Sequence, residues 1–252
     1  MTTVKDILRV DNLSKSYGAL TIISNLSMRV KRGERHGLIG PNGAGKTTLI
    51  GLLSGNVHPS KGEVRLNGES IVGLRPNRLN RRGIGRSFQI TNIFKDMSVL
   101  DNVKIGVMSR RRLKWRLLCP ASSLKDVEEE AIELVKSVGL APYAHAAADT
   151  LSYSAQRSLE IAVTLATDPM FILLDEPMAG MSREETQAMT ELLARVSVGR
   201  TLLMVEHDMS VVFSLCDRIS VLVYGRILAS GTPEEIRANA DVQKAYLGEV
   251  TH

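Results

Sequence analysis

Two stretches of this 252-residue chain carry residue types and spacings suited to chemistry on phosphate. The first, GPNGAGKTT, spans residues 40–48 and fits the pattern G-x-x-x-x-G-K-[ST] through Gly40, Gly45, Lys46 and Thr47. Glycines let successive backbone N–H groups turn inward around phosphate oxygens. Gly40, Pro41, Asn42, Gly43, Ala44 and Gly45 are therefore expected to form a cradle. A helix starting at its end would add positive potential at its N-terminus. Lys46 is placed to reach the β- and γ-phosphates of ATP, and the hydroxyl of Thr47, followed by Thr48, to ligate Mg²⁺. The second stretch, FILLDEP, ends an apolar run on Asp175 and Glu176. Carboxylates at the C-terminal end of a central strand stand where open α/β sheets bind ligands. Asp175 would hold Mg²⁺ through water, and Glu176 would polarise an attacking water. Alone, the pair could be two solvated carboxylates before a proline turn; beside a phosphate loop, it points to ATP hydrolysis.

These residues need a scaffold, and the hydrophobic pattern describes one. ILRVDNL and LSMRV read as short strands, with a turn at KRGER. HGLIG is a strand feeding the loop, and KTTLIGLLSG an apolar helix leaving it. GEVRLNGE closes on Asn67-Gly68, a strong hairpin signal. From about Val99 to Thr167 the chain turns mostly helical; Val127, Ala131, Leu134, Val135 and Val138 recur at helical spacing, with Gly139 as a C-cap. After Pro169, strands and helices alternate. FILLD, TLLMV and the pair in RISVLVYGRILASG are strands, and MSVVFSLC is a short helix. Ser182 with Glu185 caps a helix running to about Val196, and Thr232, Pro233 and Glu235 open another. Such alternation, with continuous apolar strands, predicts a parallel sheet buried on both faces. The expected class is α/β: a P-loop NTPase core with a parallel sheet, an N-terminal antiparallel β portion and an inserted helical subdomain. Within one domain, residues 1–90 and 168–252 would form the nucleotide-binding core and residues 91–167 the helical subdomain.

Composition excludes some classes and leaves others open. A formal net charge of +5 suits an anionic ligand, a nucleic acid or an anionic membrane face without choosing among them. Aromatic residues make up only 4%, which is poor for a base-stacking platform. Cys119 and Cys216 lie far apart with no CxxC, which argues for no disulfide framework or zinc site and suits a reducing compartment. No apolar run approaches the roughly 18 residues that would span a bilayer, and the start MTTVKDILRV lacks the pattern of a signal peptide. The run SRRRLKWRLLCP packs five basic residues beside the single Trp. It reads as a solvated face, a contact with lipid headgroups, or a nucleic-acid patch.

Five further motifs, in order along the chain, resemble those of the ATP-binding subunits of ABC transporters. Tyr17 in SKSYGAL matches the aromatic residue that stacks on adenine. Gln89 in RSFQITN matches the glutamine that contacts the metal site and faces the membrane subunit. LSYSAQR stands where the family's signature belongs, AGMSREE where it has a dimer-contact loop, and His207 in MVEHDM matches its γ-phosphate switch. The resemblance implies ATP and Mg²⁺ as ligands, with Mg²⁺ held by Thr47, Gln89 and Asp175. It gives Glu176, His207 and Lys46 the catalytic roles. It also implies integral membrane permease subunits and a second ATPase subunit as partners, a solute-binding protein in the full system, and no nucleic acid. The chain would then be cytoplasmic, held to the inner face of the plasma membrane by its permease. RSFQ, Tyr153, EHDM and the tail GTPEEIRANADVQKAYLGE are similar to the ATPases that import branched-chain amino acids, urea and amides. A lipopolysaccharide or lipid exporter's ATPase, or a non-transport ABC ATPase, remains the alternative.

In such ATPases, the signature of one subunit closes over the ATP of the other. Ser152, Tyr153, Ser154, Ala155 and Gln156 would act on the partner's nucleotide, with Ser152 as N-cap. Relatives carry Gly at the position of Ser154, and Gln or an acidic residue at that of Ala155. A Cβ at 154 would crowd the γ-phosphate, and would cost about 1–2 kcal/mol more if the position required a positive φ. Ala155 removes one polar contact, worth about 0.5–1.5 kcal/mol; the expectation is a composite site that is weakened, turning over about ten- to a hundredfold more slowly, or dead, as an asymmetric pair of ATPases would tolerate.

Overall fold

A computed structural model describes residues 5–86, 93–111 and 121–247. The chain opens with a hairpin of β1 (Asp6–Tyr17) and β2 (Leu20–Lys31), then β3 (Arg35–Ile39) and α1 (Lys46–Leu53). β4 (Lys61–Leu66), β5 (Glu69–Ser70), α2 (Pro76–Arg81) and β6 (Ile84–Arg86) follow. The helical stretch contains α3 (Val99–Arg110), α4 (Ala121–Ser137) and α5 (Tyr153–Ala166). The last third alternates: β7 (Phe171–Asp175), α6 (Arg183–Val196), β8 (Thr201–Val205), α7 (Met209–Leu215), β9 (Arg218–Val223), β10 (Arg226–Gly231), α8 (Pro233–Ala238) and α9 (Ala240–Leu247).

Two sheets result. One is antiparallel, in the order β2-β1-β4-β5; the other runs β10-β9-β3-β8-β7-β6, parallel from β9 to β6 with β10 antiparallel on its edge. The central strands are buried on both faces, as their unbroken apolar runs predict. In β7 and β8, alternate residues serve different cores. Phe171, Leu173, Leu203 and Val205 face the cluster shared with the antiparallel sheet and α1. Ile172, Leu174, Leu202 and Met204 face the cluster formed with α3, α4, α5, α6 and α7.

The capping signals behave as their chemistry requires. Both bonds of the capping box are present at Ser182 and Glu185, and again at Thr232 and Glu235. Asn67 and Gly68 take φ of 49° and 86° between β4 and β5, the positive pair that a tight hairpin turn needs. Gly139 closes α4 at φ 78°. Three differences from the sequence reading have physical causes. β1 and β2 are each 12 residues long, well beyond the short strands expected, because their polar outer halves pair across irregularities at Asn12 (φ 48°) and Asn25 (φ 52°) that break the alternation. The three-residue β6 and the short α2 are too brief to show a period, and α9 follows α8 so closely that the tail masks it. Cys216 is buried, and its thiol is pushed up to about 12, mainly by desolvation, which keeps it unreactive. Cys119 and most of the basic run (residues 112–120) lie outside the described residues, as does Gln89. No helix among the described residues is long and apolar enough to cross a membrane.

Candidate active site

Sheet register gathers the candidate residues on one edge. Leu38 of β3 and Asp175 of β7 both pair with Val205 of β8, so the three form one row across the parallel strands. Every chain segment leaving that row emerges on the same side. Beyond β3 lies the phosphate loop, beyond β8 Glu206 and His207, and beyond β7 Glu176. This is the carboxyl edge, where doubly wound sheets hold their ligands.

The loop is shaped by backbone that only glycine tolerates. Gly43 has φ 76° and Gly45, the N-cap of α1, φ 106°. At Gly40 a Cβ would stand 2.1 Å from the Leu222 carbonyl oxygen of β9, so the loop leaves the sheet against a neighbouring backbone. The opposite end is pinned as Gly225 donates to the Ala44 carbonyl at 2.9 Å. Gly45 offers no side-chain cap, and the first N–H groups of a helix have no intrahelical acceptor, so α1 points its positive end at the loop. The Lys46 ammonium lies in the loop and donates to the carbonyls of Gly40 and Pro41, the second at 3.0 Å. Asn42 and Thr47 are exposed beside it, and Thr48 is half-buried.

The carboxylates at the edge differ in environment. Asp175 is buried, which pushes its carboxyl up; Arg86 of β6 opposes that shift from 3.6 Å, and Glu176 adds to it. Arg86 itself is held by Ser54 at the end of α1, donating to its hydroxyl at 2.7 Å. Glu176 extends the ladder by one bond, its N–H donating to Val205 at 2.9 Å, then turns with φ 47°. A left-handed glutamate is uncommon and carries strain of about 1–2 kcal/mol. His207 is 66% exposed, while the carboxylate beside it, Glu206, is completely buried. Burial pushes Glu206 up, while the N–H groups of Met178 and His207, each donating at 3.0 Å, pull the other way. Glu206 thus ties the turn after Glu176 to the base of His207. The sequence reading singled out the histidine and passed over Glu206, Arg86 and the Arg157–Glu160 pair of α5. The one signal available was a charged residue directly ending or interrupting an apolar run.

The other expected residues stand apart from this edge. Tyr17, 52% exposed, ends β1 with the Lys15 ammonium 4.6 Å from its ring centre. Residues 152–156 open α5, and Ser152 is its N-cap, accepting from Ala155 N–H at 3.3 Å. Ser154 is the second residue of that helix and has no positive φ, so the strain considered for its side chain does not arise. Tyr153 leans on the turn that follows the carboxylates, donating to the Ala179 carbonyl at 3.1 Å. Gln156 donates to the Leu151 carbonyl at 3.1 Å, within its own helix start.

Of the residues expected to hold Mg²⁺, Gln89 lies outside the described residues, and the Thr47 hydroxyl and the Asp175 carboxylate are hard oxygens of the type that ion prefers. No cluster of three or more His, Cys, Asp or Glu exists among the described residues.

Comparison with known proteins identifies the arrangement. The ABC transporter profile matches residues 23–179, well over half the chain and including the loop, both edge carboxylates and the helical stretch. The chain belongs to the ABC transporter family. As a member, it is an ATP-binding and ATP-hydrolysing cassette. The profile described as branched-chain amino acid ATP-binding cassette transporter matches residues 226–252. The chain is 39% identical to the high-affinity branched-chain amino acid transport ATP-binding protein BraF of Pseudomonas aeruginosa, covering 97% of this chain and 99% of that one. It is 38% identical to LivG of Escherichia coli K12, covering 96% and 98%. Identity to the lipopolysaccharide export protein LptB of Haemophilus influenzae is 32%, over 96% and 98%. Among solved structures, an ATP-binding cassette of an ABC transporter in its ADP conformation superposes with a TM-score of 0.84 at 27% identity, covering 97% of this chain and 99% of that one.

Proposed function

We propose that this cassette powers the import of branched-chain amino acids, working beneath a membrane-embedded permease as one of two ATPase subunits. The supporting observation is the match of residues 226–252 to the branched-chain profile, on a chain 39% identical to BraF over nearly its full length. The exporter reading has the lower identity, 32% to LptB. A solute-binding protein delivers the cargo in this reading, and the permease holds the chain at the cytoplasmic face of the membrane.

The residues divide the work. Gly40 to Thr48 grip the triphosphate through loop N–H groups and the end of α1, with Lys46 releasing its loop carbonyls to meet the β- and γ-oxygens. Tyr17 offers its ring to adenine. Thr47, Gln89 and Asp175 would hold Mg²⁺, which when bound neutralises charge on the phosphates. Glu176, left-handed just past the strand end, orients the attacking water and accepts its proton. His207, fixed at its backbone by Glu206, reads the γ-phosphate. Residues 152–156 bring the start of α5 to the nucleotide of the second subunit.

The test is ATP hydrolysis by the chain assembled with its permease in vesicles. Addition of a leucine-loaded binding protein should stimulate it severalfold. Glu176→Gln should abolish turnover while ATP still binds, and Lys46→Ala should abolish both. Stimulation by no branched-chain amino acid, with Glu176→Gln still inactive, would leave an ATPase and remove the cargo assignment.

A further inference from the structure

The hydroxyl of Tyr153 is the meeting point of two parts of the molecule with different duties. Arg157, one turn on in α5, donates to its oxygen twice, from Nε at 3.1 Å and from Nη2 at 2.9 Å. With both contacts arriving as donors, the single phenolic proton is directed outward, and it goes to the Ala179 carbonyl. Arg157 does not wander, because it is 5% exposed and its Nη1 donates at 3.0 Å to Glu160, itself 4% exposed. A buried pair with those partners fixes geometry even where its net contribution to stability is small. The guanidinium also faces the Tyr153 ring, 5.3 Å from its centre. On the far side, the ring edge lies 3.7 Å from where a Cβ on Gly180 would stand. Tyr153 is thus aligned from behind by a buried ion pair and applied to the crest of the turn at residues 177–181.

The base of that turn is anchored separately. Met178 N–H donates to Glu206, Ala179 N–H to the Glu176 carbonyl at 3.1 Å, and Met181 N–H to Met178 at 3.1 Å. One short segment therefore carries Glu176 at its start and the contact with α5 at its crest.

We propose that Tyr153 is a positioning residue that fastens the 177–181 turn to the first turn of α5, so that Glu176 and the α5 face offered to the second cassette shift together. This rests on the reading that residues 152–156 act on the partner's nucleotide. A neighbouring contact works in the same direction: the Ser154 hydroxyl, after the Ser182 backbone, helps hold the Glu185 carboxyl below its usual range, so α5 also touches the start of α6. Tyr153→Phe is the perturbation of choice, because it keeps the ring and deletes the oxygen that donates to Ala179 and accepts from Arg157.

Amide hydrogen exchange on the full chain reads the consequence directly. In Tyr153→Phe, exchange at Ala179 and Met181 should accelerate about three- to tenfold, as expected for loss of one partly exposed hydrogen bond. Met178, held by Glu206, should change by less than about twofold, while the melting temperature should fall by about 2–8 °C, because the deleted oxygen is also the acceptor of two Arg157 donors. In the assembled transporter, kcat for ATP should fall with KM unchanged. Unaltered exchange at Ala179 and Met181 would overturn the proposal. So would acceleration spread equally over Met178 and α5, which marks general support of the fold, or a change confined to KM. If the wild type itself binds no ATP, the functional reading fails, while the exchange result still decides whether Tyr153 holds the turn.

Discussion

Replacing Glu206 by Ala removes the acceptor of two backbone N–H groups at once, those of Met178 and His207. A buried N–H left without a partner costs about 1–3 kcal/mol, so the pair costs about 2–6 kcal/mol. Part is returned, because the substitution also removes a carboxylate that lies fully out of water. The net expectation is a loss of about 2–4 kcal/mol for Glu206→Ala. Glu206→Gln keeps one acceptor and drops the charge, and should lose about 1–2 kcal/mol at low pH. The pH dependence separates the two effects. Burial raises the Glu206 carboxyl above its ordinary 4.5, so the native protein keeps this proton to higher pH than the unfolded chain. Its stabilising contribution is fully present below 4.5 and is lost as pH rises through the native value. Gln does not titrate, so the deficit of Glu206→Gln against wild type should shrink as pH climbs from 4.5 through the raised native value. Urea unfolding followed by far-ultraviolet circular dichroism, on the three proteins between about pH 4 and 8, measures this, and all other titrating groups cancel in the difference. A loss under about 1 kcal/mol for Glu206→Ala would refute the assignment of those hydrogen bonds, and a Gln deficit flat with pH would refute the raised Glu206 carboxyl.

Ser154→Gly should leave stability within about 1 kcal/mol, since Ser154 sits at an ordinary helical position. It should raise ATP turnover in the assembled transporter by removing the Cβ; equal rates for the two proteins would end the idea of a weakened signature. Gly40→Ala forces a methyl group against the Leu222 carbonyl and should cost about 3 kcal/mol or more, and a melting temperature within 2 °C of wild type would contradict the close approach. His36 is fully buried between Glu34 at 2.6 Å and the Ser220 hydroxyl at 2.8 Å, so His36→Ala should cost about 2–4 kcal/mol by opening a buried cavity and removing both contacts, although Ser220 keeps its bond to Ser230 and Glu34 its bond from Lys31, as read by urea unfolding.

Much of this was legible because local chemistry and fold agree. The boundaries of α6 follow from Ser182 and Glu185, whose reciprocal bonds need only sequence neighbours. The pattern of the phosphate loop spells out a backbone shape, and the positive φ at Gly43 and Gly45 is that shape. What stayed hidden depends on neighbours remote in sequence. Arg86 looks like a surface residue until β6 pairs with β7 and brings it to Asp175. Glu206 looks like any acid after a strand until the turn at Met178 folds over it. Ser154 could be read as strained or as comfortable, and only the helix start at Tyr153 settles which.

The left-handed Glu176 has a bearing on how this protein could be improved or worn down. Glycine adopts φ 47° without the penalty a glutamate bears, and asparagine nearly so. A library screened for heat resistance alone would therefore enrich Glu176→Gly, and each round of selection would yield hardier molecules that no longer turn over. The same pull acts on any copy released from selection for transport: its first adaptive step toward robustness lies at the residue proposed to activate the attacking water. Thermal screens of this cassette need an activity gate at every round, because at this position persistence and work are rewarded by opposite substitutions.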